Sequence, residues 1–237
     1  MQLVRIPWSH YCKKVEWALS ANGIPYDTLD VSLKAMRKWA LVLPEGTVPV
    51  LKVDRVIAGS SNILRWLDDQ VGGLYPADAA QLEKWADDEI GPVARRVAYQ
   101  TIHDTPRAYG DSLLWHMVFR LARRQVLGVL KHYKARRFVE TDRLAVGAIL
   151  RKIERQLENS GTGFLFGNKP SAADYATTAL VSPMLPIRNL SATSGPTGQV
   201  VREYVRRVKP KTLTRRRRRW ARAKDLKAWR TAGSAPT

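Results

Sequence analysis

Cysteine is almost missing from this chain: Cys12 stands alone in 237 residues. No intramolecular disulfide can form and no Cys-rich zinc site can be built, which suits a reducing compartment. Long apolar runs are missing too. None approaches the roughly 20 residues that a membrane-spanning helix requires, and the N-terminus lacks the apolar core and small-residue cleavage site of a signal peptide. A cytoplasmic protein whose mature chain begins at Met1 is therefore expected, with no transmembrane segment and no metal. Acidic residues are scarce, 21 Asp and Glu against 40 Lys and Arg, giving a formal net charge of +19. Apolar residues are not scarce: at 45% of the chain they suffice for an ordinary core of one large domain or two modest ones.

The positive charge is unevenly spread. From residue 206 to the end stand thirteen Lys and Arg against one acid, Asp225, so this short stretch carries +12 of the total. A globular body of moderate charge with a basic tail differs from a uniformly basic nucleic-acid-binding domain. Five consecutive arginines, 215–219, and weak apolar periodicity predict that residues 210–237 are disordered. Trp220 and Trp229 interrupt the run, so nonspecific contact with nucleic acid or another anionic partner is one expectation for this tail and an empty extension is the other.

Patterning divides the body in two. Residues 2–6 read as a strand, 10–21 as an amphipathic helix and 26–31 as a second strand after the Gly23-Ile24-Pro25 turn. Residues 48–53 and 55–58 read as a short hairpin, and a helix follows from Ser60 to the glycines at 72 and 73. A linker rich in Gly and Pro then leads into helices only, marked by Leu82, Trp85, Ile90, Val93 and Val97, by Leu114 to Leu121, and by Val146, Ile149, Leu150, Ile153 and Leu157. Gly91-Pro92 is expected to kink the first of these. Ser171 and Asp174 have the spacing of a reciprocal helix cap, and a last helix is expected at 199–208. The expected organisation is an N-terminal domain over 1–71, an all-helical domain over 78–209 and the tail over 210–237.

One stretch carries chemistry. In Pro7-Trp8-Ser9-His10-Tyr11-Cys12, Ser9 falls at the strand-to-helix turn, where its hydroxyl can cap the helix and the positive end of the helix dipole favours an anion such as a thiolate. Read with Val48-Pro49, with Gly59-Ser60-Ser61-Asn62-Ile63-Leu64 and with Asn168-Lys169-Pro170-Ser171-Ala172-Ala173-Asp174, it resembles the glutathione transferases. The resemblance runs from residue 1 to about 209 and is closest to an incompletely characterised bacterial branch. It implies an α/β plus all-α architecture: a thioredoxin-like βαβ-ββα N-terminal domain followed by an all-helical domain. It also implies glutathione as co-substrate, a small electrophile as second substrate and a homodimer. On it, Val48 before a cis Pro49 pairs with the peptide backbone of glutathione, and Ser60, assisted by Ser61, takes the γ-glutamyl carboxylate. Where the family usually has Glu or Asp just before that serine, to pair with the ligand's ammonium, this chain has Gly59.

The transferase reading makes Ser9 the thiolate-stabilising group. A free thiol of this kind has a pKa near 8.5, and a hydrogen bond to a charged group is worth about 1.5–3 kcal/mol, so one such bond with the helix dipole supplies roughly one to two pKa units. Ser9 as a cap alone is the other reading. His10, at the helix N-terminus, is either a neutral base near the site or a solvated first-turn residue. Cys12 occupies the place of the second cysteine in a Cys-x-x-Cys pair, so glutathione-dependent thiol exchange through a mixed disulfide is an alternative to its being a small buried apolar group. A third reading is a noncatalytic scaffold of the same fold with an anion-binding tail.

Overall fold

The computed structural model describes residues 1–104, 139–187 and 190–233. The helix expected at Leu114 to Leu121 lies outside these. The chain forms two compact units, 1–75 together with 210–237, and 76–209.

The first unit is built on a five-stranded sheet in the order β4-β3-β1-β2-β5. Central strand β1 (Gln2–Arg5) pairs in parallel with β2 (Tyr26–Asp30), Val4 opposite Leu29, and antiparallel with β3 (Val50–Lys52), Val4 opposite Val50. Strand β4 (Val56–Ala58) closes the hairpin with β3. Helix α1 (His10–Ala21) connects β1 to β2 and buries Val15, Ala18 and Leu19, the apolar face foreseen from their spacing. A short helix α2 (Leu33–Trp39) and a single tight turn (Pro44–Gly46) lead to β3, and α3 (Ser60–Val71) follows β4 and packs on α1.

The tail is where sequence reasoning fails. Residues 215–220 are not disordered: they form β5 (Arg215–Trp220), a parallel edge strand on β2, with Leu29 opposite Arg219 and Asp30 opposite Trp220. Two of the arginines find carboxylates far away in sequence, and a third finds one nearby. Arg218 Nε lies 2.5 Å from Asp30 Oδ2, Arg215 4.0 Å from Glu16, and Arg219 2.7 Å from Asp225. Asp30 is fully buried and also accepts from Arg5 Nε at 2.8 Å, while Arg5 pairs with Glu16 at 2.5 Å. Without the tail this buried group would hold two acids against one base, so β5 supplies the missing positive charge. Its charged side chains also guard the sheet edge against further strands. Thr214 donates to the Ile24 carbonyl at 2.6 Å, and the Ala221 amide to the Asp30 carbonyl at 2.8 Å.

After β5, the terminal helix (Ala223–Gly233) delivers Trp229 into the core. There it packs with Val4, Leu29, Val31, Leu43, Val48 and Val50, its ring edge-on to Trp39 at 6.4 Å. The weak apolar periodicity of residues 210–237 does not reveal this anchoring, which rests on one buried tryptophan with Ala221 and Leu226 partly buried beside the same cluster.

The second unit contains only helices among its described residues. Helix α4 (Ala79–Trp85) runs through a widened π turn (Ala86–Ile90) into α5 (Gly91–Asp104). Pro92 has no N–H to give residue 88 and its ring crowds that carbonyl, so the helix widens there. Helix α6 (Val139–Ser160) lies on α5, with Arg96 and Asp142 in a bidentate pair at 2.7 and 2.6 Å. Helix α7 (Ala172–Val181) is buried throughout and begins with the reciprocal cap read from the sequence: the Asp174 amide donates to Ser171 Oγ at 3.3 Å and the Ser171 amide to Asp174 Oδ2 at 2.9 Å. Asp174 also accepts from Tyr204 on α9 (Pro196–Val208), which follows the single turn α8 (Ser191–Ser194); the bond is 2.8 Å. These bonds account for both Ser171 and Asp174 as structural. No helix among the described residues is long and apolar enough to cross a membrane.

Candidate functional site

Three segments of the first unit carry the residues singled out by sequence. Ser9 is the N-cap of α1, in extended conformation and half-buried, and its Oγ accepts the Cys12 amide at 3.4 Å. A hydroxyl has one hydrogen to donate besides its lone pairs. Capping uses a lone pair, so it and donation to an anion beside the helix end are compatible roles for one side chain.

His10 is not solvated. It is 7% exposed, and its ring lies 4.8 Å from that of Tyr11.

Cys12 is fully buried in the cluster that holds Val4, Ile6, Val48 and Val50. Burial pushes its thiol up to about 12, against smaller opposing effects from the Ser9 hydroxyl and the Ile6 backbone. A thiol at this pKa is almost wholly protonated near neutrality, and a fully buried sulfur has no access to a disulfide partner. Of the two expectations for Cys12, this burial favours the small apolar group over thiol exchange: the first turn of α1 faces the side chain inward, while Ser9 at the helix end is half-buried.

Val48 and Pro49, joined by a cis peptide bond, enter β3 from the tight turn and are buried. The Pro49 carbonyl accepts the Gly59 amide at 3.2 Å, which ties this loop to the start of α3. Ser60 is the first residue of that helix and is 8% exposed. Ser61 accepts from Lys14 Nζ at 3.1 Å. Thus α1, the Val48-Pro49 loop and the start of α3 are joined by the Cys12–Val48 cluster, the Gly59–Pro49 bond and the Lys14–Ser61 bond.

Two residues at this site escaped sequence reasoning. Lys14 is fully buried on the apolar side of α1 and brings a cation to the N-terminal turn of α3, adding to the positive dipole end there. Its only signal was position: a lysine one turn before Ala18, within the buried stripe. Glu45 had none. It sits in the turn before Thr47 with a left-handed backbone, φ 58°, and its Oε2 comes within 3.5 Å of where a Cβ on Gly59 would stand. Among the described residues no group of three or more His, Cys, Asp or Glu is arranged to hold a metal.

Residues 8–70 match the family described as glutathione S-transferase, N-terminal domain. The fold is that of the glutathione transferases. A glutathione transferase F2 from Populus trichocarpa superposes with a TM-score of 0.63 at 15% identity, over 98% of this chain and 99% of that one. A glutathione S-transferase from Rhodospirillum rubrum F11 gives 0.58 at 19%, over 87% and 86%, and NaGST-2 gives 0.59 at 18%, over 100% and 97%. No curated protein sequence matches the chain. The likeness to the transferase fold spans both units, whereas the sequence match is confined to the segment that holds Ser9, Val48 and Ser60.

Proposed function

We propose that the protein binds glutathione in its first unit and adds the thiolate to a small electrophile. The observation that carries this reading is the joining of Ser9, at the N-cap of α1, to the Val48-Pro49 loop and the Ser60 helix start through the contacts described above. Ser9 donates its hydroxyl hydrogen to the glutathione sulfur while its lone pair caps α1. With the helix dipole this lowers the thiol pKa by roughly one to two units, enough to make a useful fraction of thiolate near neutral pH. Val48 pairs with the peptide backbone of the tripeptide. Ser60 and Ser61, with the α3 N-terminus and the Lys14 ammonium, form a positive pocket for the γ-glutamyl carboxylate. In the chemical step the sulfur lone pair forms the new carbon–sulfur bond and the electrophile's leaving group or developing anion takes up the electrons. The setting that suits this chemistry is the cytoplasm, where glutathione keeps thiols reduced, and a homodimer goes with the family likeness.

The other readings lose support. Cys12 is buried with a raised pKa, and three of the five consecutive arginines are engaged by Glu16, Asp30 and Asp225. The test is the pH–rate profile of glutathione addition to an aryl halide. Ser9→Ala should move the profile up by about one to two pH units and lower the rate at pH 7 roughly ten- to a hundredfold, while Cys12→Ala keeps the wild-type profile. An unchanged profile in Ser9→Ala would remove Ser9 from the mechanism.

A further inference from the structure

The γ-glutamyl end of glutathione is an amino-acid head: its carboxylate and ammonium share one carbon. A site that takes the carboxylate at Ser60 and the start of α3 therefore leaves the ammonium within a few ångströms of Gly59, and an ammonium removed from water needs an acceptor. Gly59 has no side chain to offer. The acid that reaches this place comes from elsewhere in the chain: Glu45 Oε2 lies 3.5 Å from the position of the missing Gly59 Cβ. The other polar group there, Asn62 Nδ2, is 3.6 Å from that position, donates to the Ala58 carbonyl at 3.0 Å and cannot accept.

Two further features fit a binding role. Glu45 is solvent-exposed and holds a left-handed backbone, φ 58° and ψ 5°, which is uncommon for an L residue with a long side chain. Gly59, at φ 81°, has the conformation that favours glycine, so a side-chain carboxylate at 59 itself would be strained. A side chain at position 59 is disfavoured by the backbone, and the carboxylate of Glu45 lies next to the space it would fill.

We infer that Glu45 is the acceptor for the ammonium of the bound thiol, replacing across space the carboxylate that position 59 lacks. The inference rests on the glutathione reading and specifies its ligand further: the protein selects a thiol whose acyl head carries both a free carboxylate and a free ammonium. A helix-dipole partner would also place an acid near α3, but that role is indifferent to whether the ligand has an amino group.

Calorimetric titration of the full chain with glutathione and with glutaryl-cysteinyl-glycine, which keeps the carboxylate and lacks the amino group, separates the two. Wild type should bind glutathione roughly ten- to a hundredfold more tightly than the analogue. Glu45→Gln should abolish that preference by weakening glutathione alone. Glu45→Asn, whose side chain tolerates the left-handed backbone better, should do the same with no loss of melting temperature. If wild type binds both ligands equally, or if the two variants weaken both ligands alike or neither, Glu45 is not the acceptor and the glutathione site stands without it. If wild type binds neither ligand at millimolar concentration, the glutathione reading and the inference fall together.

Discussion

Replacing Trp229 with Ala tests whether the C-terminal segment is a structural part of the first unit. Trp229 is 7% exposed, sits edge-on to Trp39 at 6.4 Å, and has Lys52 Nζ 5.6 Å from its ring centre. Truncating a buried tryptophan costs about 3–5 kcal/mol, and the edge-on pair accounts for roughly 0.5–1.5 kcal/mol of such a loss. Against a typical total of about 5–15 kcal/mol this is a large fraction. For a chain of this length, about 2–4 °C per kcal/mol translates it into a fall in melting temperature of roughly 6–20 °C. The cavity would also open beside Val48, which belongs to the same cluster, so thiol binding should weaken along with stability. Thermal denaturation followed by circular dichroism reads the effect, with Trp220→Ala as control: Trp220 is 47% exposed and should cost less than about 1 kcal/mol. Equal, small shifts for the two variants would refute the docking of the terminal helix.

Two further outcomes follow from the same unit. Asp225 accepts the Arg222 amide at 2.8 Å and pairs with Arg219. Burial alone would raise its pKa, but these partners together hold its carboxyl below the usual range. A lowered folded-state pKa stabilises only the ionised form, so its contribution is complete above the unfolded value near 4 and is lost as pH falls through the folded value. Asp225→Ala should therefore cost about 1 kcal/mol at neutral pH and progressively less below about pH 4; a cost that persists in acid would contradict the ionic cap. Cys12, with its thiol pushed up to about 12 by burial, stays protonated in the folded state, so its contribution is full below the unfolded pKa near 8.5 and declines as pH rises beyond it. Iodoacetamide should label the native protein at pH 7.5 only as fast as it unfolds, and rapid stoichiometric labelling would show that the thiol is open.

The body of the fold was legible because its signals are local. The short apolar run of β1, the stripe on α1, the glycines after α3 and the Ser171–Asp174 spacing each depend on neighbours within a few positions. Strand β5 was illegible for the opposite reason. Five arginines look unfoldable when counted with their neighbours, and the acids that meet Arg215 and Arg218, Glu16 and Asp30, lie almost two hundred residues earlier in the chain. Composition measures charge without knowing what will face it. The same limit hid Glu45, whose relevance arises only when the turn before β3 comes over Gly59. It also left Cys12 ambiguous: residues 9 and 12 are one turn apart in sequence, yet the first is half-buried at the helix end and the second points into the core. Ser9, Val48 and Ser60 could be singled out beforehand because helix starts and X-Pro bonds are written in the sequence. What each does with a ligand is a question of binding.

That question has a direct measurement: calorimetric titration of glutathione into the intact protein and into Ser60→Ala, at fixed salt and pH. The account predicts saturable one-site binding to the wild type, weakened roughly tenfold or more when the hydroxyl that receives the γ-glutamyl carboxylate is removed. No binding to the wild type at millimolar glutathione, or binding that Ser60→Ala leaves untouched, would contradict it.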